Sequence, residues 1–235
     1  MKPGSQKIII IILTLTGLFS CKKVNNSPVA NNKVDTVFFI GDSIDAGYGL
    51  ADNTLRHTTL FCAQINATEA NYAILGLTMQ DGTPTGYGGS ILTQLNLIPN
   101  FSGKNNYLYI MLGTNDVEIN SGVYTAALFK SSYQVVLNNA ASKGWPLKRI
   151  MLVSPPYIGN YSFSTFLSSP ARLQEYGDTV QSVAKINGTQ FLDMYMITND
   201  NGAASLLDAD GLHYNVLGNQ VMANAETANF MQWKF

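Results

Sequence analysis

Thr36-Val37-Phe38-Phe39-Ile40-Gly41-Asp42-Ser43-Ile44 is the stretch from which the fold can be read. Four consecutive apolar β-formers, Val37 to Ile40, predict a strand buried on both faces, and Gly41-Asp42-Ser43 break it into a polar turn. In open α/β sheets the ligand crevice lies at the carboxyl ends of the strands. A hydroxyl delivered there by a rigid strand makes Ser43 a candidate nucleophile. The tripeptide carries little by itself, because roughly one chain in twenty of this length holds Gly-Asp-Ser by chance. Its weight has to come from residues elsewhere in the chain.

Downstream of this strand, Asp52 to Ala67 carries Leu55, Leu60, Phe61 and Ile65 and predicts a helix with a frayed start. Asn71-Tyr72-Ala73-Ile74-Leu75 predicts a short buried strand ending at Gly76, followed by a turn-rich loop from Thr78 to Gly89. Ser90 opens a helix through Ile91, Leu92, Leu95 and Leu97. Asn106 to Leu112 reads as a third strand, and it too ends on polar turn residues, Gly113-Thr114-Asn115-Asp116. A helix from about Val123 to Ser142 follows, with Gly144 as its stop. Then come a strand over Lys148 to Val153 closed by Ser154-Pro155-Pro156, an aromatic loop from Tyr157 to Ser169, and a helix from Pro170 to Ile186. Thr189 to Asp193 is a fifth short strand, and a last helix starting near Asn215 carries Val216, Val221, Met222 and Ala225.

Strands alternating with helices at this spacing predict one α/β domain over residues 34–235. Its architecture is a three-layer α/β/α sandwich around a central, mostly parallel five-stranded sheet with right-handed crossovers. The sequence shows no internal repeat and no second domain. The first strand is not followed by Gly-x-Gly-x-x-Gly, which argues against a dinucleotide cofactor.

The chain has 235 residues, is 46% hydrophobic and has no long charge runs, which suits a single domain with a sizeable core. Its formal charge of -1 offers no clustered basic face, so no nucleic-acid partner is expected. Residues 1–20 have the order of an export signal: Lys2 and Lys7, the apolar run Ile8 to Leu15, then Leu18-Phe19-Ser20-Cys21. The apolar run is short for a bilayer span. Its end resembles a bacterial lipobox, with Phe19 where a small residue is more usual; the resemblance implies cleavage before Cys21 and a lipid on that cysteine. An ordinary signal peptide with Cys21 there by coincidence, and an uncleaved anchor, remain open. Residues 22–33, rich in Asn, Lys and Ser with Pro28, read as a flexible tether after the lipidated cysteine. The expectation is therefore an exported lipoprotein held to a bacterial membrane. Loss of residues 1–20 removes two lysines and no acid, leaving 12 bases against 15 acids and a net charge of -3. With Cys21 lipidated, Cys62 has no intramolecular disulfide partner. Its setting, Leu60-Phe61-Cys62-Ala63, predicts a buried small hydrophobe.

Strand ends and the loop before the last helix supply Ser43, Gly76, Asn115 and the pair Asp210 and His213. Each has a plain explanation: Gly76 as a turn glycine, Asn115 and Asp116 as turn or cap residues, Asp210 three before His213 by chance. Their joint occurrence in this order is the signal. Through these blocks the chain resembles the SGNH hydrolases of the GDSL esterase and lipase superfamily. Gly41-Asp42-Ser43-Ile44 matches the first block with Ile for the usual Leu, Asn71 to Gly76 the second, Gly113-Thr114-Asn115-Asp116 the third, and Asp210-Gly211-Leu212-His213 the last. Ala73 stands where the second block often has Gly, and Tyr214 where Pro is frequent. The resemblance spans nearly the whole mature domain. It implies a flavodoxin-like sandwich, a serine esterase working through an acyl-enzyme, and an oxyanion hole made of the Ser43 and Gly76 backbone N–H groups and the Asn115 amide.

The residues lead the same way without the resemblance. A serine hydroxyl is a poor nucleophile near neutral pH and needs an adjacent base, and the chain has two histidines, His57 and His213. Asp210 lies one short turn before His213, so its carboxylate can accept the Nδ1 proton and leave Nε2 facing Ser43; Asp208 is the fallback. His57, between Arg56 and Thr58, reads as a surface histidine. Asp116 reads as a structural cap, and Asn215 and Gly218 as helix-start and packing positions beside His213. No Gly-x-Ser-x-Gly elbow is present, and no His/Cys/Asp cluster has zinc spacing, so neither a metal nor another cofactor is expected. Tyr48, Tyr87, Tyr157, Tyr161, Phe163 and Phe166 either offer stacking surfaces for a sugar or walls for an acyl chain, or pack in the core. The expected substrate is a small-molecule or glycan ester, with acetyl or short acyl groups on carbohydrates favoured. A lysophospholipase or thioesterase, and a silent glycan-binding lipoprotein, are the alternatives. The sequence leaves the oligomeric state open.

Overall fold

In the computed structural model the described residues are 34–80, 91–118, 125–159 and 170–233. The export signal, Cys21, the tether, the loop beyond Gln80 with Tyr87 and Ser90, the helix start at Val123, and Tyr161, Phe163 and Phe166 lie outside them. Five strands form one sheet: β1 (Thr36–Gly41), β2 (Thr68–Asn71), β3 (Asn106–Met111), β4 (Ile150–Val153) and β5 (Gln190–Leu192). They lie in the order β2-β1-β3-β4-β5, and every neighbouring pair is parallel. All carboxyl ends therefore share one edge, where Gly41 of β1 pairs with Met111 of β3.

The strands alternate their side chains between two cores, as period-two geometry requires. Phe38, Ile40, Leu108, Ile110, Ile150 and Leu152 face α3 (Ile91–Leu97), α5 (Ala126–Ser142) and α6 (Pro170–Asn187) through Leu95, Phe129, Tyr133, Leu173 and Val180. Val37, Phe39, Tyr107, Tyr109, Met151 and Val153 face α2 (His57–Gln64) and α8 (Val216–Gln232) through Phe61, Cys62, Met222 and Phe230. Two apolar layers on one sheet give the three-layer sandwich. Burial of each large side chain contributes roughly 1.5–3 kcal/mol, so the sheet is a rigid platform for what its edge carries. Cys62 is buried, as its apolar setting predicts.

Several boundaries differ from the sequence reading. The second strand pairs over Thr68–Asn71 instead of Asn71 to Leu75, and it is only half-buried because it lies at the sheet edge. The chain beyond it still leans on β1, with Tyr72 N–H donating to Phe39 O (2.9 Å) and Ile74 N–H to Gly41 O (3.0 Å). The long helix α5 starts at Ala126, where Thr125 Oγ1 accepts from Leu128 N–H and caps it. A single 3₁₀ turn over Leu147–Arg149 precedes β4, which begins at Ile150. The fifth strand is trimmed to Gln190–Leu192, because Asp193 turns away to cap α7 (Met194–Asp200), a helix the sequence reading lacked. Asn215 does start the final helix, accepting from Gly218 N–H at 3.0 Å.

Candidate active site

The carboxyl edge of β1 leads directly into α1 (Ser43–Ala46), a single helical turn whose first residue is Ser43. Asp42 caps it, its Oδ1 accepting from Ile44 N–H at 2.9 Å. The turn is tight enough to demand glycine at position 41, where an added Cβ would stand 2.0 Å from Asp45 Oδ2. Tyr48 N–H returns to Ser43 O at 2.9 Å and closes the turn. These bonds hold the serine in one place at the sheet edge.

The base arrives from the loop before α8. Leu207 and Tyr214 pair across this loop as an isolated antiparallel bridge, and Asp208 N–H donates to His213 O at 2.7 Å. Asp210 Oδ1 accepts from the backbone N–H groups of Leu212 and His213, both at 2.9 Å, which aims its second oxygen at the ring. His213 Nδ1 lies 2.6 Å from Asp210 Oδ2 and Nε2 lies 2.9 Å from Ser43 Oγ. The partners define the tautomer: a proton on Nδ1 held by the carboxylate, and a lone pair on Nε2 facing the hydroxyl. Burial pushes the Asp210 carboxyl up, but the bonds from the His213 ring and the two backbone N–H groups outweigh it and hold the group below its usual range. It therefore stays ionised at neutral pH. Asp208, the fallback, bonds through its backbone and stands exposed. Gly218 packs where a Cβ would meet Leu206 O at 2.3 Å, so α8 sits tightly against this loop, as expected.

The segments that follow β2 and β3 meet beside Asp42, the residue before Ser43. The residues Gly113 to Asp116 pass from turn into a short helix, α4 (Thr114–Glu118), and are not turn alone. Asn115 Nδ2 donates to Leu77 O at 2.9 Å and lies 3.4 Å from Asp42 Oδ2, linking the ends of β1, β2 and β3. Gly76 has φ of +73°, a left-handed conformation that glycine adopts without strain, and its turn is carried to β1 by the Ile74 bond to Gly41 O. Asp116 is more than a helix cap. Its carboxylate accepts from Met79 N–H (2.9 Å) and from the backbone and side chain of Gln80 (3.0 and 3.2 Å), pinning the chain after Gly76 against α4. Burial, opposed by those donors, pushes Asp116 up to about 6, and burial pushes Asp42 up to about 7.

Of the aromatic residues singled out, Tyr48 is half-exposed with its ring 4.5 Å from the His213 ring, and so walls the site. Tyr157 packs instead, its ring against Tyr195 and its backbone bonded to Thr198 and Tyr214. His57 is the clear correction. It is fully buried, because the N-terminus of α2 docks on α8, where Glu226 Oε1 lies 2.8 Å from its Nδ1 and Asn219 Oδ1 accepts its N–H. Asn219 and Glu226 fall among Met222, Ala223 and Phe230 on one buried face of α8, and a charge at that helical spacing is the signal that could have found this partner.

Comparison with known families and structures follows the same lines. The sequence model of the GDSL-like Lipase/Acylhydrolase family matches residues 39–221. No curated protein matches the chain. Among solved structures, a lipase/acylhydrolase from Enterococcus faecalis is 22% identical with a TM-score of 0.66, over 85% of this chain and 96% of its own. The native aryl esterase of M. Smegmatis is 16% identical with a TM-score of 0.69, over 86% of this chain and all of its own. Est24, a carbohydrate acetylesterase from Sinorhizobium meliloti, is 16% identical with a TM-score of 0.67, over 84% of this chain and 99% of its own. These likenesses extend to the sandwich and its parallel sheet.

Proposed function

The chain belongs to the GDSL-like lipase and acylhydrolase family and is a hydrolase of ester bonds, and from that premise we propose that it removes acetyl or other short acyl groups from carbohydrate esters through an acyl-enzyme on Ser43. The observation that carries the reading is the alignment of Asp210 Oδ2, the His213 ring and Ser43 Oγ at 2.6 and 2.9 Å. In this reading His213 Nε2 takes the Ser43 proton as the hydroxyl attacks the ester carbonyl. The Asp210 carboxylate keeps the tautomer and stabilises the imidazolium. The Ser43 N–H, the Gly76 N–H and the Asn115 amide bind the oxyanion. The 3.4 Å contact to Asp42 is long, so that amide N–H can turn to a developing charge at little cost. His213 then returns the proton to the leaving alcohol, and a water repeats the sequence to free the acid.

The exposed ring of Tyr48 beside His213 supports a sugar alcohol as leaving group, since it offers an apolar face at the mouth of the site. The acetylesterase activity named for the Sinorhizobium protein favours a small acyl group. The order Lys2, Lys7, Ile8 to Leu15 and Cys21 supports export and a lipid anchor on Cys21, so the substrate would meet the enzyme outside the cytoplasm. Mass spectrometry of the mature N-terminus tests the anchor; an unmodified first residue other than Cys21 excludes it. Hydrolysis of p-nitrophenyl acetate, lost in Ser43→Ala and in His213→Ala, tests the site, and equal rates in all three proteins overturn it. A panel of acetylated sugars against long-chain acyl esters tests the substrate, with preference for the long chains contradicting the carbohydrate reading.

A further inference from the structure

A second set of titratable groups lies sealed beneath the serine. Glu226 Oε1 accepts from Tyr109 O–H at 2.7 Å and lies 2.8 Å from His57 Nδ1. With Glu226 as a carboxylate, this oxygen accepts from both groups and the Nδ1 of His57 carries the hydrogen. The other ring nitrogen, Nε2, faces Asp45 Oδ1 at 3.6 Å. Asp45, His57 and Glu226 are all fully buried. An unprotonated Nε2 against an ionised Asp45 would set two acceptors face to face with no water to separate them, at a cost comparable to an unmade buried hydrogen bond plus a buried charge. A proton between them turns the contact into an attraction.

This cluster also touches both halves of the site above. Asp45 sits on α1 two residues after Ser43, with Oδ2 filling the space behind Gly41. The His57 N–H donates to Asn219 Oδ1 at 2.9 Å, and Asn219 Nδ2 donates to the backbone oxygen of Tyr214, next to His213, at 2.8 Å. Accepting the reading of Ser43 as nucleophile, we propose that Asp45, His57 and Glu226 form a buried cluster that positions Ser43 and His213, with a proton carried by one of the two facing atoms Asp45 Oδ1 and His57 Nε2, which lie within ion-pair reach. None of the three reaches Ser43 Oγ, so they act as positioning residues.

The surroundings favour retention of that proton. Asp42 faces the cluster from the end of β1, Tyr109 from β3, Cys62 from α2, Tyr133 from α5 and Glu226 from α8. Arg56, the cation that also acts on Cys62, is held by Glu69 at 3.0 Å. Burial first, and then the charges of Asp42 and Glu226, push the Asp45 carboxyl well above the usual carboxylate range. Ionisation of Asp45, delayed to alkaline pH by that burial, removes the proton from the contact and costs α1 its anchor.

The test uses the full chain, p-nitrophenyl acetate and three variants, each checked for folding by circular dichroism. His57→Gln and Asp45→Ala lower kcat roughly 10- to 100-fold with KM within about twofold, the size expected of a misplaced rather than missing group. Asp45→Asn keeps a neutral donor opposite Nε2; it retains more of kcat than Asp45→Ala and lacks the alkaline fall in kcat that the wild type shows. Proton NMR of the folded wild type shows two downfield, slowly exchanging protons at His57, one at each ring nitrogen whichever partner carries it, both lost in His57→Gln. A single such proton, or a pH profile of Asp45→Asn that superimposes on wild type, overturns the proposal. The two readings fail separately: turnover surviving in Ser43→Ala removes the nucleophile, whereas an inactive Ser43→Ala alongside unaltered kcat and pH profiles in the folded His57 and Asp45 variants removes only the cluster beneath it.

Discussion

The two histidines of this protein are built from nearly the same parts and placed to opposite ends. Each has a carboxylate within 2.8 Å of Nδ1, Asp210 for His213 and Glu226 for His57. What differs is the group at Nε2. For His213 it is a serine hydroxyl at the carboxyl edge of the sheet, with a half-exposed tyrosine over the ring; for His57 it is another carboxylate in the closed core between α1, α2 and α8. A histidine–carboxylate pair is thus no sign of catalysis by itself. The third partner and the access of a substrate to it decide the outcome, and the same pair in the core becomes a brace.

That contrast breaks most sharply at the two carboxylates. In Asp210→Asn the amide can present N–H to the ring, which reverses the tautomer and leaves a proton facing Ser43; kcat for p-nitrophenyl acetate falls on the order of 10,000-fold. Stability barely moves, because Asp210 is partly exposed in its own loop. A Tm lowered as much as the rate would make Asp210 a structural residue. Glu226→Ala is the mirror experiment. It strips the buried Tyr109 hydroxyl and His57 Nδ1 of their acceptor and costs about 3–5 kcal/mol, read as a Tm lower by roughly 10 °C. A Glu226→Ala protein with wild-type Tm would show that the core brace carries no load.

A smaller effect separates donors that position from donors that react. Asn115→Ala removes one proposed oxyanion donor while leaving the Asp210–His213–Ser43 alignment in place, and kcat drops about 100- to 1,000-fold with KM nearly unchanged. A loss confined to KM would assign Asn115 to substrate binding in the ground state.

How far these regions could be read in advance follows from where their information sits. The strands β1, β3 and β4 are buried on both faces and appear as apolar runs; Val37 to Ile40 and Tyr107 to Leu112 need no tertiary knowledge. The edge strand Thr68-Glu69-Ala70-Asn71 has no such run, since its place is set by pairing with β1 and by burial on one side only, and the reading slid to the more apolar residues after it. Asp210 and His213 were legible because their contact is local, three residues within one loop. His57 was misread as a surface residue because Arg56 and Thr58 beside it are polar, while the groups that bury it, Asn219 and Glu226, lie on a helix more than 160 residues away. Local chemistry is written locally; a brace across the core is not.

The mildest prediction is one of pH, and it separates fully buried carboxylates from the partly exposed Asp210 by sign. Burial raises Asp42 to about 7, with the charge of Asp116 adding to it against the Ile44 N–H bond, and burial raises Asp116 to about 6 against its bonds from Met79 and Gln80. Unfolded, such groups titrate near 3.9, so between about pH 4 and 7 the folded chain binds more protons than the unfolded one. Their contribution to stability is fully present below about pH 4 and is lost as the pH rises through 6 to 7. Asp210 runs the other way. Despite its partial burial, the bonds to His213 and Leu212 lower it, so its contribution is present above the unfolded value and vanishes only as the pH falls below about 4. From about pH 5 to 8 the buried carboxylates therefore dominate over Asp210, and Tm declines across that range. Because the groups lie in the core, about 0.5 M salt leaves the decline largely intact. A Tm that climbs from pH 5 to 8, or a decline abolished by salt, would place the titrating carboxylates at the surface and erase the distinction between Asp210 and the buried carboxylates.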